Sequence, residues 1–202
     1  MSFIRRIYHS LFPVKIKGRN NIIKWKQKCS NVRIDINGNN NEVIIKKAAT
    51  LSNLHIVMRG DNNKLIIGSN CRIYGPCHIL IENGAEVNFG KDTGLRGVKI
   101  LANTAPITIG SNCMTSYNVL LRNHDSHTIF SSITGEIINR PRAISIGDHV
   151  WLAENVTVLK GAKIGNNSVI GFGSIVTREI PNNSIAAGAP ANVIKGNIEW
   201  EK

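Results

Sequence analysis

The chain has 202 residues and a formal net charge of +12, with 42% hydrophobic but only 5% aromatic residues. That length supports one sizeable core, and the abundance of Ile, Val, Asn and Gly favours many short strands joined by tight turns over a helical bundle. The charge attracts anions without choosing among nucleic acid, an anionic membrane surface, a polyanionic carbohydrate and a phosphorylated cofactor, but the aromatic signature of RNA-binding modules is missing, so no nucleic-acid partner is expected.

In chain order, residues 1–14 come first. Phe3, Ile4, Ile7, Leu11 and Phe12 recur at roughly helical spacing beside Arg5 and Arg6, and Pro13 ends the pattern. A short amphipathic helix is expected there, capping the domain or touching a membrane peripherally, because the segment is too short to span one. Nine Lys or Arg residues, from Arg5 to Arg33, precede the first acidic residue, Asp35. Cys29, Cys71, Cys77 and Cys113 are widely spaced, form no CxxC, and follow no signal peptide. Reduced thiols are therefore expected in a cytoplasmic protein, peripheral at the inner face of the membrane if its basic end is used that way.

Residues 15–104 carry a loose repeat. GRNN at Gly18, GNNN at Gly38 and GDNN at Gly60 lie 20 and 22 residues apart, each followed by an aliphatic run. These read as irregular coils of a solenoid whose turns use residues tolerant of positive φ. IGSNCR from Ile67, IYGPCH from Ile73 and IGSNCM from Ile109 tighten the pattern. Over residues 105–185 it becomes regular, and from Ile146 it divides into six-residue units: IGDHVW, LAENVT, VLKGAK, IGNNSV, IGFGSI, VTREIP. The first positions, Ile146, Leu152, Val158, Ile164, Ile170 and Val176, are all branched aliphatics; the fifth positions, from Val150 to Ile180, are mostly small or β-branched. A helix of period 3.6 does not keep a six-residue repeat on one face, whereas a coil of three short strands and three turns does. Each aliphatic residue then points inward and stacks on its counterpart about 4.8 Å along the axis. Residues 186–202 form a cap and tail.

The regular pattern breaks between Leu121 and Ile144. The break opens with LRNHDSHTIF and continues as SSITGEIINRPRA, a polar segment read as a loop over about 128–143 that projects from the coils. Loops on a rigid scaffold are where function concentrates.

The run IGDHVWLAENVTVLKGAKIGNNSVIGFGSIVTREIPNNSIAAGAPANVIK, within residues 105–197, resembles the carboxy-terminal half of the hexapeptide-repeat acyltransferases. That resemblance implies an all-β, left-handed parallel β-helix with a projecting loop and short terminal helical segments. It also implies a homotrimer with active sites between subunits, and transfer of an acetyl group from acetyl-CoA to a carbohydrate acceptor. The DSHTI segment matches the family's histidine motif, which places the general base on His127, and Trp151 lies the expected distance downstream. An imidazole titrating near neutrality suits both halves of the reaction, taking a proton from the acceptor and returning it to the leaving thiolate.

Asp125 and Asn123 are then candidates for orienting the base or contacting the acceptor. Trp151, whose indole N–H only donates, suits the substrate or the pantetheine arm. Thr177 and Arg178 match the family's VTKDIP and are expected along the CoA groove, and Lys195 sits where a basic residue meets the nucleotide phosphates. Glu154 and Phe172 replace a usual small residue and a usual Ala, and both are expected against the cosubstrate. Asn192 stands where Lys or Arg is frequent. His124 reads as a residue at the rim.

The leading reading is an O-acetyltransferase for a sugar of capsule, O-antigen or exopolysaccharide, with an N-acetyltransferase for a nucleotide-linked amino sugar as the nearest rival. A γ-carbonic-anhydrase-like metalloenzyme would need His124, His127 and His149 to converge, and His149 falls at a turn position, so no metal is expected. A non-catalytic solenoid that binds polymer does not account for DSHTI, VWL and VTREIP occurring together.

Overall fold

The computed structural model describes residues 13–25 and 29–202, so most of the expected amino-terminal helix lies outside the described residues. Among the described residues there are twenty-three strands and no helix. They stack as three ladders of parallel strands, one on each face of a solenoid. The first face runs through Arg72–Tyr74, Gly94–Arg96, Met114–Thr115, Trp151–Leu152, Val169–Ile170 and Ser184–Gly188. The second includes Cys77–Glu82, Val98–Asn103, Val119–Arg122, Thr157–Leu159 and Ile175–Val176. The third includes Glu86–Phe89, Ile107–Ile109, Ile144–Ile146 and Lys163–Ile164. The long strands Cys29–Asn37 and Thr50–Arg59 turn a corner, which joins the first two faces into one sheet.

The core is a set of aliphatic columns. On the second face Ile34, Ile56, Ile79, Ile100, Leu121, Val158 and Val176 pair in register from coil to coil. On the third, Ile45, Ile67, Phe89, Ile109, Ile146, Ile164 and Ile180 do the same. Every one of these residues is buried, and burial of an aliphatic side chain stabilises by about 1.5–3 kcal/mol. The first positions of the hexads from Ile146 to Val176 thus all face inward. The frame shortens at the end: Ile180, fifth in its hexad, pairs with Ile164 and enters the third-face column, so the last coil has two residues fewer than the one before it.

The asparagine-rich turns supply the corners. Asn20, Asn40 and Asn62 take φ of 56°, 56° and 60°, a left-handed conformation that Asn adopts more readily than most residues. The next residues in each turn form a ladder of their own: Asn41 Nδ2 donates to Asn21 Oδ1 at 3.0 Å, and Asn63 Nδ2 donates to Asn41 Oδ1 at 2.8 Å. Asn41 and Asn63 are buried, and these bonds satisfy them. Gly38, with φ of 146°, admits no side chain, because a Cβ there would lie 2.0 Å from the Gly60 carbonyl oxygen.

The four cysteines form no disulfide. Burial pushes the thiols up, Cys113 to about 11, so they stay protonated at neutral pH. The carboxy-terminal cap differs from the helical segment expected. Ser184–Gly188 turns back through Ala191–Gly196 as an antiparallel hairpin. This hairpin covers the open edge of the first-face ladder, which a single helical turn would leave with unpaired backbone groups.

Candidate active site

The projecting loop begins where Val119–Arg122 ends on the second face and returns at Ile144–Ile146 on the third. It is a hairpin: Phe130 bridges Ile137, Ile138 N donates to Ile129 O at 3.0 Å, and Ser131 N donates to Glu136 O at 2.8 Å. The tight turn at its root, residues 124–127, has a hollow on each side. One is lined by His127, Thr128, Asn139 and Arg140, the other by Arg122, Arg142, Lys160 and Thr177, and His124, Asp125 and Ser126 border both. The second hollow gathers three cations around one carboxylate.

His127 is exposed and its imidazole makes no hydrogen bond among the described residues; only its backbone carbonyl is held, by Asn139 Nδ2 at 2.8 Å. Its ring is therefore available to a substrate. Asp125 does not reach it. The Asp125 carboxylate is taken by Lys160 Nζ and by Asn139 Nδ2, the latter at 2.9 Å. The Lys160 ammonium foremost, and then the Asn139 amide, hold the Asp125 carboxyl below its ordinary range, so it is an anion at neutral pH. Arg122 braces the other side of the turn, its Nε donating to His124 O at 2.9 Å and its Nη2 to Ser126 Oγ at 2.6 Å. His124 Nδ1 lies 3.0 Å from the Asp125 carbonyl oxygen. A carbonyl only accepts, so Nδ1 carries a proton. The other ring nitrogen, Nε2, is buried with no partner among the described residues.

Asn123, expected beside the acceptor, is instead used up inside the fold. It is fully buried, its Oδ1 accepts from Asn103 N at 2.9 Å and its Nδ2 donates to Ala105 O at 2.6 Å. It is a corner residue of the same type as Asn41 and Asn63.

The other expected residues fall into two groups. Thr177 lines the hollow beside Lys160. The pairing of Thr157 and Val158 with Ile175 and Val176 carries the exposed Arg178 to the position over Lys160. Trp151 lies on the first face, paired with Met114 and Val169. Glu154 and Phe172 occupy the turns after it, joined by the Gly173 N–H to the Glu154 carbonyl at 3.0 Å. Lys195 is in the cap hairpin. Trp151 on the first face, Glu154 and Phe172 at the corner between the first and second faces, and Lys195 in the cap hairpin are all away from the loop, which leaves the coils at the corner between the second and third faces. Phe172 is 69% exposed. The Trp151 indole N–H is buried with no acceptor among the described residues. Beside it is a residue the motifs did not indicate: Trp200 stacks on His149 at 4.1 Å, donates from Nε1 to His149 O at 3.0 Å, and lies 6.0 Å from Trp151.

A three-faced parallel coil with a histidine-bearing loop at one corner is the architecture of the hexapeptide-repeat class. Comparison with known proteins agrees. Residues 143–178 match the bacterial transferase hexapeptide (six repeats) family. The polysialic acid O-acetyltransferase of Escherichia coli O1:K1 / APEC is 39% identical over 137 residues, 67% of this chain and 44% of that protein. The chain thus spans less than half the length of that relative. The crystal structure of the polySia-specific acetyltransferase NeuO superposes with a TM-score of 0.90 at 36% identity, covering 95% of this chain and 89% of that one. A hexapeptide-repeat-containing acetyltransferase of Vibrio cholerae O1 biovar eltor, in complex with acetyl coenzyme A, gives a TM-score of 0.51 at 25% identity over 63% of this chain and 72% of its own. The chain belongs to the hexapeptide-repeat acetyltransferases, and its solenoid is their left-handed parallel β-helix.

Proposed function

We propose that the chain transfers an acetyl group from acetyl-CoA directly to a sugar hydroxyl of a cell-surface polysaccharide or its precursor, in the cytoplasm, with His127 as general base. The observation that carries this is the unengaged His127 imidazole, exposed at the lip of one hollow, with a cationic hollow lined by Arg122, Arg142 and Lys160 on the other side of the turn. The imidazole takes the hydroxyl proton as the alcohol oxygen attacks the thioester carbonyl; the C–O bond forms, the C–S bond breaks, and the proton returns to the departing thiolate. Thr177, which lines the second hollow, and the exposed Arg178 next to it in sequence suit the cosubstrate, Arg178 by its match to a phosphate. Acetyl-CoA also fits the orphaned Trp151 N–H, a buried donor that needs an acceptor and has none among the described residues. The acetyl-CoA complex of the Vibrio relative supports the same cosubstrate.

The two groups of site residues meet only if copies of the chain associate, Trp151, Glu154 and Phe172 of one facing the His127 hollow of the next. We therefore infer a homotrimer with shared sites. Two surfaces favour it. Val57, Leu80, Leu101, Leu120 and Ile175 turn apolar side chains outward along the second face. Ile129, Phe130, Ile133 and Ile138 stand exposed on the loop, Ile133 at 93%.

The test is to incubate the purified protein with acetyl-CoA and a panel of purified bacterial surface polysaccharides. Free CoA should appear only with an accepted polysaccharide, in step with an alkali-labile acetate ester. An alkali-stable amide product would replace this reading with N-acetyl transfer, and no acceptor-dependent CoA release from any polymer would end it.

A further inference from the structure

Lys160, in the hexad VLKGAK, and Asn139, in the loop segment SSITGEIINRPRA, have been given no role so far, yet they meet at the root of the loop. Asn139 lies on the returning limb, twelve residues after His127, and spends its whole side chain across the gap. Its Oδ1 accepts from Ile129 N at 2.7 Å, and the two hydrogens of Nδ2 go to His127 O at 2.8 Å and Asp125 Oδ2 at 2.9 Å. Lys160 comes from the turn of the following coil and is only 21% exposed. Its Nζ donates to the same Asp125 oxygen and to the Asn139 carbonyl at 3.2 Å. The turn that presents Lys160 is itself tied to the loop, Arg142 Nη2 reaching the Lys160 carbonyl at 3.5 Å. The backbone on both sides of His127 is thereby fastened to the rigid coil beneath it, while the imidazole stays free.

We propose that Asn139 and Lys160 are positioning residues that act through Asp125 and the His127 backbone to hold the imidazole in place. This rests on His127 being the base. The side chains do not need to touch substrate: both Asn139 amide hydrogens are engaged and its Oδ1 accepts from Ile129 N, and the Lys160 ammonium is bonded to loop oxygens on two residues. What they supply is a fixed origin for the His127 side chain on a hairpin that has few other ties to the coils. A displacement of about 1 Å at a catalytic group lowers a rate by about a hundredfold, so loosening the clamp should slow the chemical step without weakening cosubstrate binding.

The experiment measures kcat and KM for acetyl-CoA in Asn139→Ala and Lys160→Met, each made in wild-type protein and again in the His127→Ala background, with melting temperatures recorded throughout. Each substitution should lower kcat by about 10- to 100-fold in the wild type, leave KM for acetyl-CoA within about twofold, and change the residual rate of the His127→Ala protein by less than about twofold. Positioning a base has no value once the base is gone. Equal losses in both backgrounds, or a raised KM with unchanged kcat, would overturn the proposal in favour of direct substrate contact. Unchanged kcat in both variants, with His127→Ala inactive, would overturn it while leaving the base in place. An active His127→Ala protein would remove the base reading and this inference together. Lys160→Met keeps the proposal testable if Asn139→Ala fails to fold.

Discussion

Replacing His127 with alanine should lower kcat for acetyl transfer by about 10²–10⁴-fold, the usual contribution of a positioned general base. The protein should otherwise be unaltered. The His127 ring is exposed and makes no hydrogen bond among the described residues, so its removal leaves no buried polar group unpaired and no cavity. Acetyl-CoA binding and the melting temperature should stay at wild-type values, which separates loss of chemistry from loss of fold. Steady-state kinetics with thiol detection, together with calorimetric titration of CoA, make the comparison. A variant that kept more than about a tenth of the wild-type kcat would place the base elsewhere, and His124, whose Nε2 is buried with no partner among the described residues, would be the next residue to test.

Leu121→Ala is expected to have the largest effect on stability. Leu121 is fully buried in the second-face column between Ile100 and Val158, two residues before the chain leaves the coil. Truncating a buried leucine costs about 2–5 kcal/mol, the spread depending on how far the site collapses. A stacked coil has little freedom to collapse, since its neighbours are fixed in register on both sides. In a chain of this length each kcal/mol lowers the melting temperature by about 2–4 °C, so a fall of about 5–20 °C is expected. Because each coil contacts mainly its neighbours, the damage should be local. Amide exchange should quicken in Val98–Asn103, Val119–Arg122 and Thr157–Leu159 and hardly change in the amino-terminal coils. A melting temperature lowered by less than about 2 °C would contradict the column as the source of cohesion.

The six-residue period made the coil legible because it is a local signal. Ile146, Leu152, Val158 and Ile164 recur in sequence at the interval that separates them on the fold, so reading one gives the faces of the others. The positive-φ corners were legible for the same reason, through Asn20, Asn40 and Asn62. Ile180 escaped because a coil shortened by two residues keeps its hydrophobic pattern and only changes its frame. The cap escaped because Ser184–Gly188 and Ala191–Gly196 pair antiparallel, outside the period altogether.

At the site, motif and structure divide differently. DSHTI and VTREIP point to residues that do lie at one corner, His127 with Thr177 and Arg178. VWL points to Trp151, which lies on another face of the chain. Asn139 and Lys160 were not legible as site residues. Their bonds to Asp125 span 14 and 35 residues, and neither position repeats, so only the folded loop brings them together. Asn123 shows the reverse error: a polar residue beside a catalytic motif looks functional until its corner bonds to Asn103 and Ala105 are seen.

The shared site is tested most directly by subunit complementation. His127→Ala and Trp151→Ala proteins, each inactive alone, are mixed, unfolded and refolded together, and assayed for acetyl transfer. In a mixed trimer, one of the three junctions pairs an intact His127 with an intact Trp151 from the neighbouring copy, so activity should return to roughly a third of the wild-type rate per mixed trimer. If mixed trimers form, shown by native mass spectrometry, and remain inactive, then His127 and Trp151 do not meet across a junction and the account of this site is wrong.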